Sequence, residues 1–283
     1  MLHELPLEAD VLHGHFSCDL EPVLTVDPGD SVRFSTPDAG WHVTFEERFT
    51  ARDEAEYDGH ALAGPIQVRG ARAGQTLAVT VDEVRPANWG TTFAGRQIVR
   101  WELDGTVGRA LGRTVELAPF LGVLGMPPAE PGRHSTGPPR RAGGNIDCKE
   151  LVAGTTLLLP IPLDGALFSA GDGHARQGDG EVSGTAIETP VEAQVTLDLR
   201  DDLPLEWPAA RIEGAWLTFG FNRSLGMAAR IATKCMVAIM RREHGLEVAE
   251  ATAFASVVVD LRVTQIVNGL QGVHAVLRDD AWT

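Results

Sequence analysis

Glycine and proline cut this chain into short pieces. There are 31 glycines and 17 prolines in 283 residues, and through the first two-thirds they recur too often for long helices. Between them lie short runs rich in β-branched and apolar residues, at 23–26, 31–35, 76–84 and 97–103. Such runs suit strands, which need only about four to eight residues. Residues 76–82, TLAVTVD, alternate large apolar with smaller or polar side chains, the pattern of a strand with one buried face. Pro28-Gly29-Asp30 and Ala73-Gly74-Gln75 mark turns. Further strands are expected at 155–160, 184–189 and 193–199.

Helical spacing appears only late. Leu225, Ala228, Ala232, Cys235 and Ile239 recur every three or four residues, predicting a helix over 224–243. Gly245 stands where a C-terminal cap belongs, and Arg241, Arg242 and His244 suit the helix dipole. A second helix is expected over 247–256, leading into a strand at 257–267. The expected fold is therefore mostly β within the α+β class, with β-sandwich-like sheets decorated by late helices over 224–256. One domain is expected over 1–283, without internal repeats. Residues 127–144 hold five prolines, four glycines and three arginines, which predicts a long surface loop. Arg133, Arg140 and Arg141 within it read as solvated charges rather than an anion site.

The charge balance narrows the function. With 24 basic and 39 acidic residues the formal net charge is −15, which opposes nucleic acid and anionic membrane alike. The N-terminus, MLHELPLEAD, has no basic stretch followed by an apolar run, and the most apolar window, 151–167, is interrupted by glycine, threonine, aspartate and proline. A soluble, cytoplasmic protein with neither nucleic acid nor membrane as partner is expected. Cys18, Cys148 and Cys235 are too few and scattered for a disulfide framework. Cys148 adjoins Lys149, but a buried or incidental thiol is the stronger reading than a nucleophile.

The unusual stretch is 164–192. It carries Asp164, Asp172, Asp179, Glu181, Glu188 and Glu192 against one base, Arg176, with six glycines between 165 and 184. Carboxylates crowded on a Gly-rich loop repel one another unless a cation or shared proton compensates. Asp172-Gly173-His174 has D-x-H spacing, so on an extended segment both side chains point the same way and can reach one metal. Asp and Gly also populate ordinary turns, and spacing alone does not separate the two readings. A nucleotide-binding glycine fingerprint fails on register, an EF-hand fails at His174 and Arg176, and Ser169 lacks the first glycine of a nucleophile elbow. His13 and His15 read as a surface H-x-H pair. Asp38 near His42, and Asp58 near His60, read as turns with histidine nearby. Asp147, after Gly143-Gly144-Asn145, is a candidate ligand or base.

Three segments carry a resemblance to a known family. Gly143-Gly-Asn-Ile-Asp147, Leu158-Leu-Pro160 and the run GALFSAGDGHARQGDGEVSGTAIE at 165–188 closely resemble the acetamidase/formamidase family. Flanking similarity reaches from Gly64-Pro65 to Asp260-Leu-Arg-Val-Thr-Gln265, nearly the whole chain. The resemblance implies a metal-dependent, β-rich amidase that hydrolyses the C–N bond of a small linear amide to a carboxylic acid and ammonia. It implies a homodimer or higher homo-oligomer. Asp147, Asp172, His174, Glu181 and Glu188 match the family's motif positions, with Asp38 and His60 as additional site residues. Where members often have proline and threonine after the histidine, His60 is followed by Ala-Leu-Ala.

Amides resist neutral water, and a divalent metal both activates water and stabilises the oxyanion. The ligands expected are Asp147, Asp172, His174 and Glu188, for zinc first and calcium as the alternative. Glu181 is the expected general base and proton donor, with Asp147 also in the catalytic set. A lactam hydrolase and a non-catalytic, cation-stabilised binding protein are the alternatives.

Overall fold

Two β-sheets face each other across the main apolar core in the computed structural model, which describes residues 1–282. The larger has nine strands in the spatial order Leu2–Leu5, Asp30–Thr36, Val191–Arg200, Thr76–Pro86, Thr156–Pro160, Ala209–Ile212, Ala215–Asn222, Gln271–Arg278 and Val259–Gln265. The second runs Pro139–Arg140, Gly143–Asn145, Phe120–Gly125, Phe168–His174, Leu62–Val68 and Leu12–His13, with Leu24–Val26 also paired to Leu62–Val68. Asp30–Thr36 and Val191–Arg200 bury alternate side chains, as period two requires. Val32, Phe34, Leu77, Val79 and Val195 from one sheet meet Ile66, Leu121, Leu124 and Phe168 from the other. Each large apolar side chain buried there contributes about 1.5–3 kcal/mol. A separate four-stranded antiparallel sheet, from Trp89–Ala94 to Arg113–Glu116, covers one flank.

Two late helices, α1 (Leu225–His244) and α2 (Val248–Val258), share a second apolar cluster with Ala209, Ala275 and Leu277 of the large sheet. Gly245 ends α1 in the left-handed conformation expected of its cap. The buried stripe of α1 is Ala228, Ala232, Met236, Ile239 and Met240, so it is centred on Met236 rather than Cys235. Leu225 is exposed. Among the described residues, no helix is long and apolar enough to cross a membrane.

Three sequence expectations need correction. The Gly-rich acidic run is not a loop throughout, because Phe168–His174 is a wholly buried strand inside the second sheet. Gly171 permits this packing: a Cβ there would lie 2.2 Å from the Ala61 carbonyl oxygen. Residues 184–189 form no strand and pair only through isolated bridges at Glu188. The segment 127–144 contains three short paired strands, and Thr136, Pro139 and Ala142 are buried. Its arginines are tethered: Arg133 lies 3.6 Å from Glu56, Arg141 lies 3.4 Å from Glu206, and Arg140 donates to the Pro138 and Ser135 carbonyls.

Candidate active site

Five of the predicted residues converge. Asp172 and His174 end the strand Phe168–His174, and Glu188 is held against that end by backbone bridges to both His174 and Thr91. Asp147 follows the strand Gly143–Asn145, where its N–H and that of Ile146 donate to the Gly122 carbonyl at 3.2 and 3.0 Å. Glu181 sits on a turn clamped by Gly180, whose N–H donates to Thr264 O while its own carbonyl accepts from Ile266 N, both at 3.1 Å. All five are buried, with exposures between 1% for Asp147 and His174 and 6% for Glu181. His174 Nε2 is 3.2 Å from Glu188 and 3.4 Å from Asp172, and Nδ1 is 3.8 Å from Asp147. Ligand atoms of Asp147, His174 and Glu181 lie within 4.8 Å of one another, as do those of Asp172, His174 and Glu188.

The backbone is strained at this point. Asp147, Asp172 and Glu181 have φ of 51°, 60° and 45°, a left-handed region that costs a non-glycine residue about 1–2 kcal/mol. Strain of this kind persists only where surrounding packing over-determines it, and it concentrates at functional sites.

Electrostatics make the centre unfavourable without a cation. Burial, reinforced by Asp172 and against the pull of His174, pushes the Asp147 carboxyl up to about 7. Burial followed by the charge of Asp147 takes Glu181 up to about 9. Glu188 is also raised by burial. Burial opposes ionisation of Asp172 too, but His174 and His60 outweigh it and hold this carboxyl below the usual range. His174 is held protonated by Glu188 and Asp172 in spite of its burial. Protons thus stand in where a divalent ion would compensate the charge.

Two further observations fit a metal. Asp147 Oδ1 is buried without a hydrogen-bond partner among the described residues, although buried polar atoms are nearly always satisfied. The floor of the centre is Gly122, where a Cβ would fall 2.3 Å from Asp172 Oδ2, 2.5 Å from Asp147 Oδ1 and 2.9 Å from His174 Cε1. Oxygen donors with one imidazole nitrogen suit zinc or a harder cation. Gly122→Ala is expected to push these donors apart, reducing metal affinity and activity at least about tenfold while leaving the fold cooperative. Metal titration alongside thermal unfolding checks this.

Several neighbours escaped the sequence reading. Gln177 Oε1 accepts from His174 Nδ1 at 3.1 Å, and its Nε2 donates to the Asp147 carbonyl at 2.7 Å. Asn268 donates to Asp147 Oδ2. Gln177 lies inside the acidic run and was open to notice, but Asn268 and Gly122 are 121 and 25 positions from Asp147, with no local pattern linking them.

Other candidates lie elsewhere. Asp38 is buried but accepts from His42 N at 2.8 Å, and no hydrogen bond or ion pair joins it to the five among the described residues. His60 is half-buried and bonded to Thr136 at 2.8 Å, close enough for its charge to act on Asp172. His13 and His15 are not on the surface: His13 Nε2 lies 2.9 Å from Ser169 Oγ and His15 Nδ1 lies 3.0 Å from Glu56. Burial and the neighbouring Glu150 push the Cys148 thiol well up, which disfavours a nucleophilic thiolate. Trp41 and Phe168 belong to the core.

A cleft of about 250 Å³ opens beside Glu181, walled by Trp101, Val115, Gln177 and Ile187 among others. A cavity of about 270 Å³ between α1 and the strand Ala209–Ile212 contains none of the five residues.

Fold and site together define a β-sandwich protein with a buried carboxylate–imidazole centre beside an open cleft. The chain belongs to the acetamidase/formamidase family, whose profile matches residues 3–103 and 112–210. It is similar to the acetamidase of Bacillus halodurans, with a TM-score of 0.87 at 26% identity over 98% of this chain and 97% of that one. Similarity to the acetamidase of Yersinia enterocolitica gives a TM-score of 0.89 at 25% identity, over 100% and 94% of the two chains. The formamidase of Methylophilus methylotrophus is 25% identical over 255 residues, 64% of this chain and 62% of its own length. The chain spans less than two-thirds of the length of the curated relatives it matches.

Proposed function

We propose that this chain is an amidase that hydrolyses the C–N bond of a small linear amide of the formamide or acetamide type, giving a carboxylic acid and ammonia. The observation that carries the reading is the buried convergence of Asp147, Asp172, His174, Glu181 and Glu188, with Glu181 facing the cleft. Family membership and the names of its relatives support the reaction class.

Asp147, Asp172, His174 and Glu188 would hold a divalent metal, zinc first and calcium as the alternative. Such an ion supplies an activated water at neutral pH and polarises the amide carbonyl. Gln177 and Asn268 fix the orientation of His174 and Asp147, so the donors stay placed without substrate. Glu181 alone of the five lines the cleft, and once a bound cation offsets the neighbouring carboxylates and lets it ionise, it would accept a proton from the attacking water. It then returns that proton to the amide nitrogen as the C–N bond breaks and ammonia leaves. A carboxyl whose affinity for protons is raised by burial is suited to that second transfer. Trp101, Val115 and Ile187 give the cleft an apolar side against which a short acyl group can pack.

A panel of short linear amides and lactams, followed by ammonia release and ring opening, tests the assignment. The highest kcat/KM is expected for formamide or acetamide. Turnover of lactams alone would replace the substrate class, and no turnover of any amide by the metal-loaded chain would remove the proposed activity.

A further inference from the structure

A second cluster involves none of the five residues above. Cys148, Glu150 and His274 present a sulfur, a carboxylate oxygen and an imidazole nitrogen, all within 4.8 Å of one another. Cys148 and His274 are fully buried, and the Glu150 side chain is 13% exposed. The Cys148 thiol donates to Glu150 Oε2 at 3.2 Å, and His274 Nε2 lies 3.6 Å from the same oxygen.

Each donor is oriented from behind. Thr264 Oγ1 lies 2.8 Å from His274 Nδ1, which leaves the Nε2 lone pair directed at the cluster when Nδ1 carries the proton. Arg262 donates to Glu150 Oε1 at 3.0 Å, leaving Oε2 for the cluster. The nearby ammonium of Lys149 is drawn to Asp179 at 2.8 Å. Yet His274 Nε2 has no hydrogen-bond partner among the described residues. A buried polar atom left this way costs about 1–3 kcal/mol. Three convergent donors around one unsatisfied nitrogen describe a place for a ligand.

We propose that Cys148, Glu150 and His274 bind a zinc ion separate from the amidase centre. Sulfur, nitrogen and oxygen together form a borderline-soft donor set, which favours zinc over calcium or magnesium. On binding, the Cys148 S–H bond breaks, its proton passes to solvent, and the sulfur electron pair bonds the ion. Three protein ligands leave one position for water. The ion would tie the turn following Asp147 to the strand Gln271–Arg278, on which His274 pairs with Arg262 of the adjacent strand. It would thereby position Asp147 without touching substrate.

The test uses the full chain, stripped with chelator and reloaded with zinc, or with cobalt as a spectroscopic substitute. Wild type should show a thiolate-to-cobalt charge-transfer band. That band should persist in Asp172→Asn and Glu188→Gln, disappear in Cys148→Ser, and require at least about tenfold more metal in His274→Gln. Zinc per chain should fall by one in Cys148→Ser. Absence of the band from folded wild type, or its survival in Cys148→Ser, would overturn the second site. Because the Asp172 and Glu188 variants report on the amidase centre alone, failure of either reading is seen independently of the other.

Discussion

Stripping the divalent metal should lower ammonia release from formamide and acetamide by about a thousandfold, with recovery on adding zinc. The magnitude follows from the several kcal/mol that a Lewis-acidic ion contributes, at about 1.4 kcal/mol per tenfold. Undiminished turnover by a demonstrably metal-free sample would end the metal-dependent reading. Metal affinity should also depend on pH in a definite direction. The Asp147 carboxyl is pushed up to about 7 by burial, so below that pH its proton competes with the ion. Affinity should therefore fall by about tenfold per pH unit per displaced proton as pH drops below 7, and go on rising above it while the ion still has to displace the proton held on His174. Isothermal titration in buffers of different ionisation enthalpy would count the protons released.

Replacing Glu181 with glutamine should reduce kcat by about 10²–10⁴ while leaving the amount of metal bound unchanged, because the proposed ligands are retained. Near-wild-type kcat would remove Glu181 as the proton carrier. Stability should move the other way. A carboxyl whose folded-state pKa is raised from 4.5 to about 9 stabilises the fold while protonated, and that contribution is lost as pH rises through this interval. Glutamine cannot ionise, so Glu181→Gln in the metal-free protein should melt higher than wild type, by a margin that widens from pH 5 to pH 9. A Tm difference that shrank with increasing pH would contradict the electrostatic account of this centre.

The split within the acidic run shows how far local sequence reaches. Of its six carboxylates, Asp172, Glu181 and Glu188 enter the centre. Asp164 instead accepts from Ala73 N, Asp179 pairs with Lys149, and Glu192 pairs with Arg85. Composition located the charge, but it could not divide buried ligands from ordinary surface pairs. Glycine content does not separate loop from strand either: Gly171 and Gly173 suit a loop by composition, yet they admit neighbouring backbone against a buried strand. The burial of His13 and His15 is likewise invisible to local sequence. Their burial depends on the strand Leu62–Val68 and on Glu56, partners distant in the chain.

Local periodicity by itself determined the strand-rich first two-thirds, the late helix ending at Gly245, and the D-x-H pair directed to one side. Those features depend on neighbours within a few residues, where side-chain alternation and capping operate. Only the tertiary structure decided that Gly122 floors the centre, that Asn268 holds Asp147, and that His274 meets Cys148. It also decided the left-handed backbone at Asp147, Asp172 and Glu181. The physical reason is common to all of these: each arises from contacts between distant segments, and packing overrides the local conformational preference.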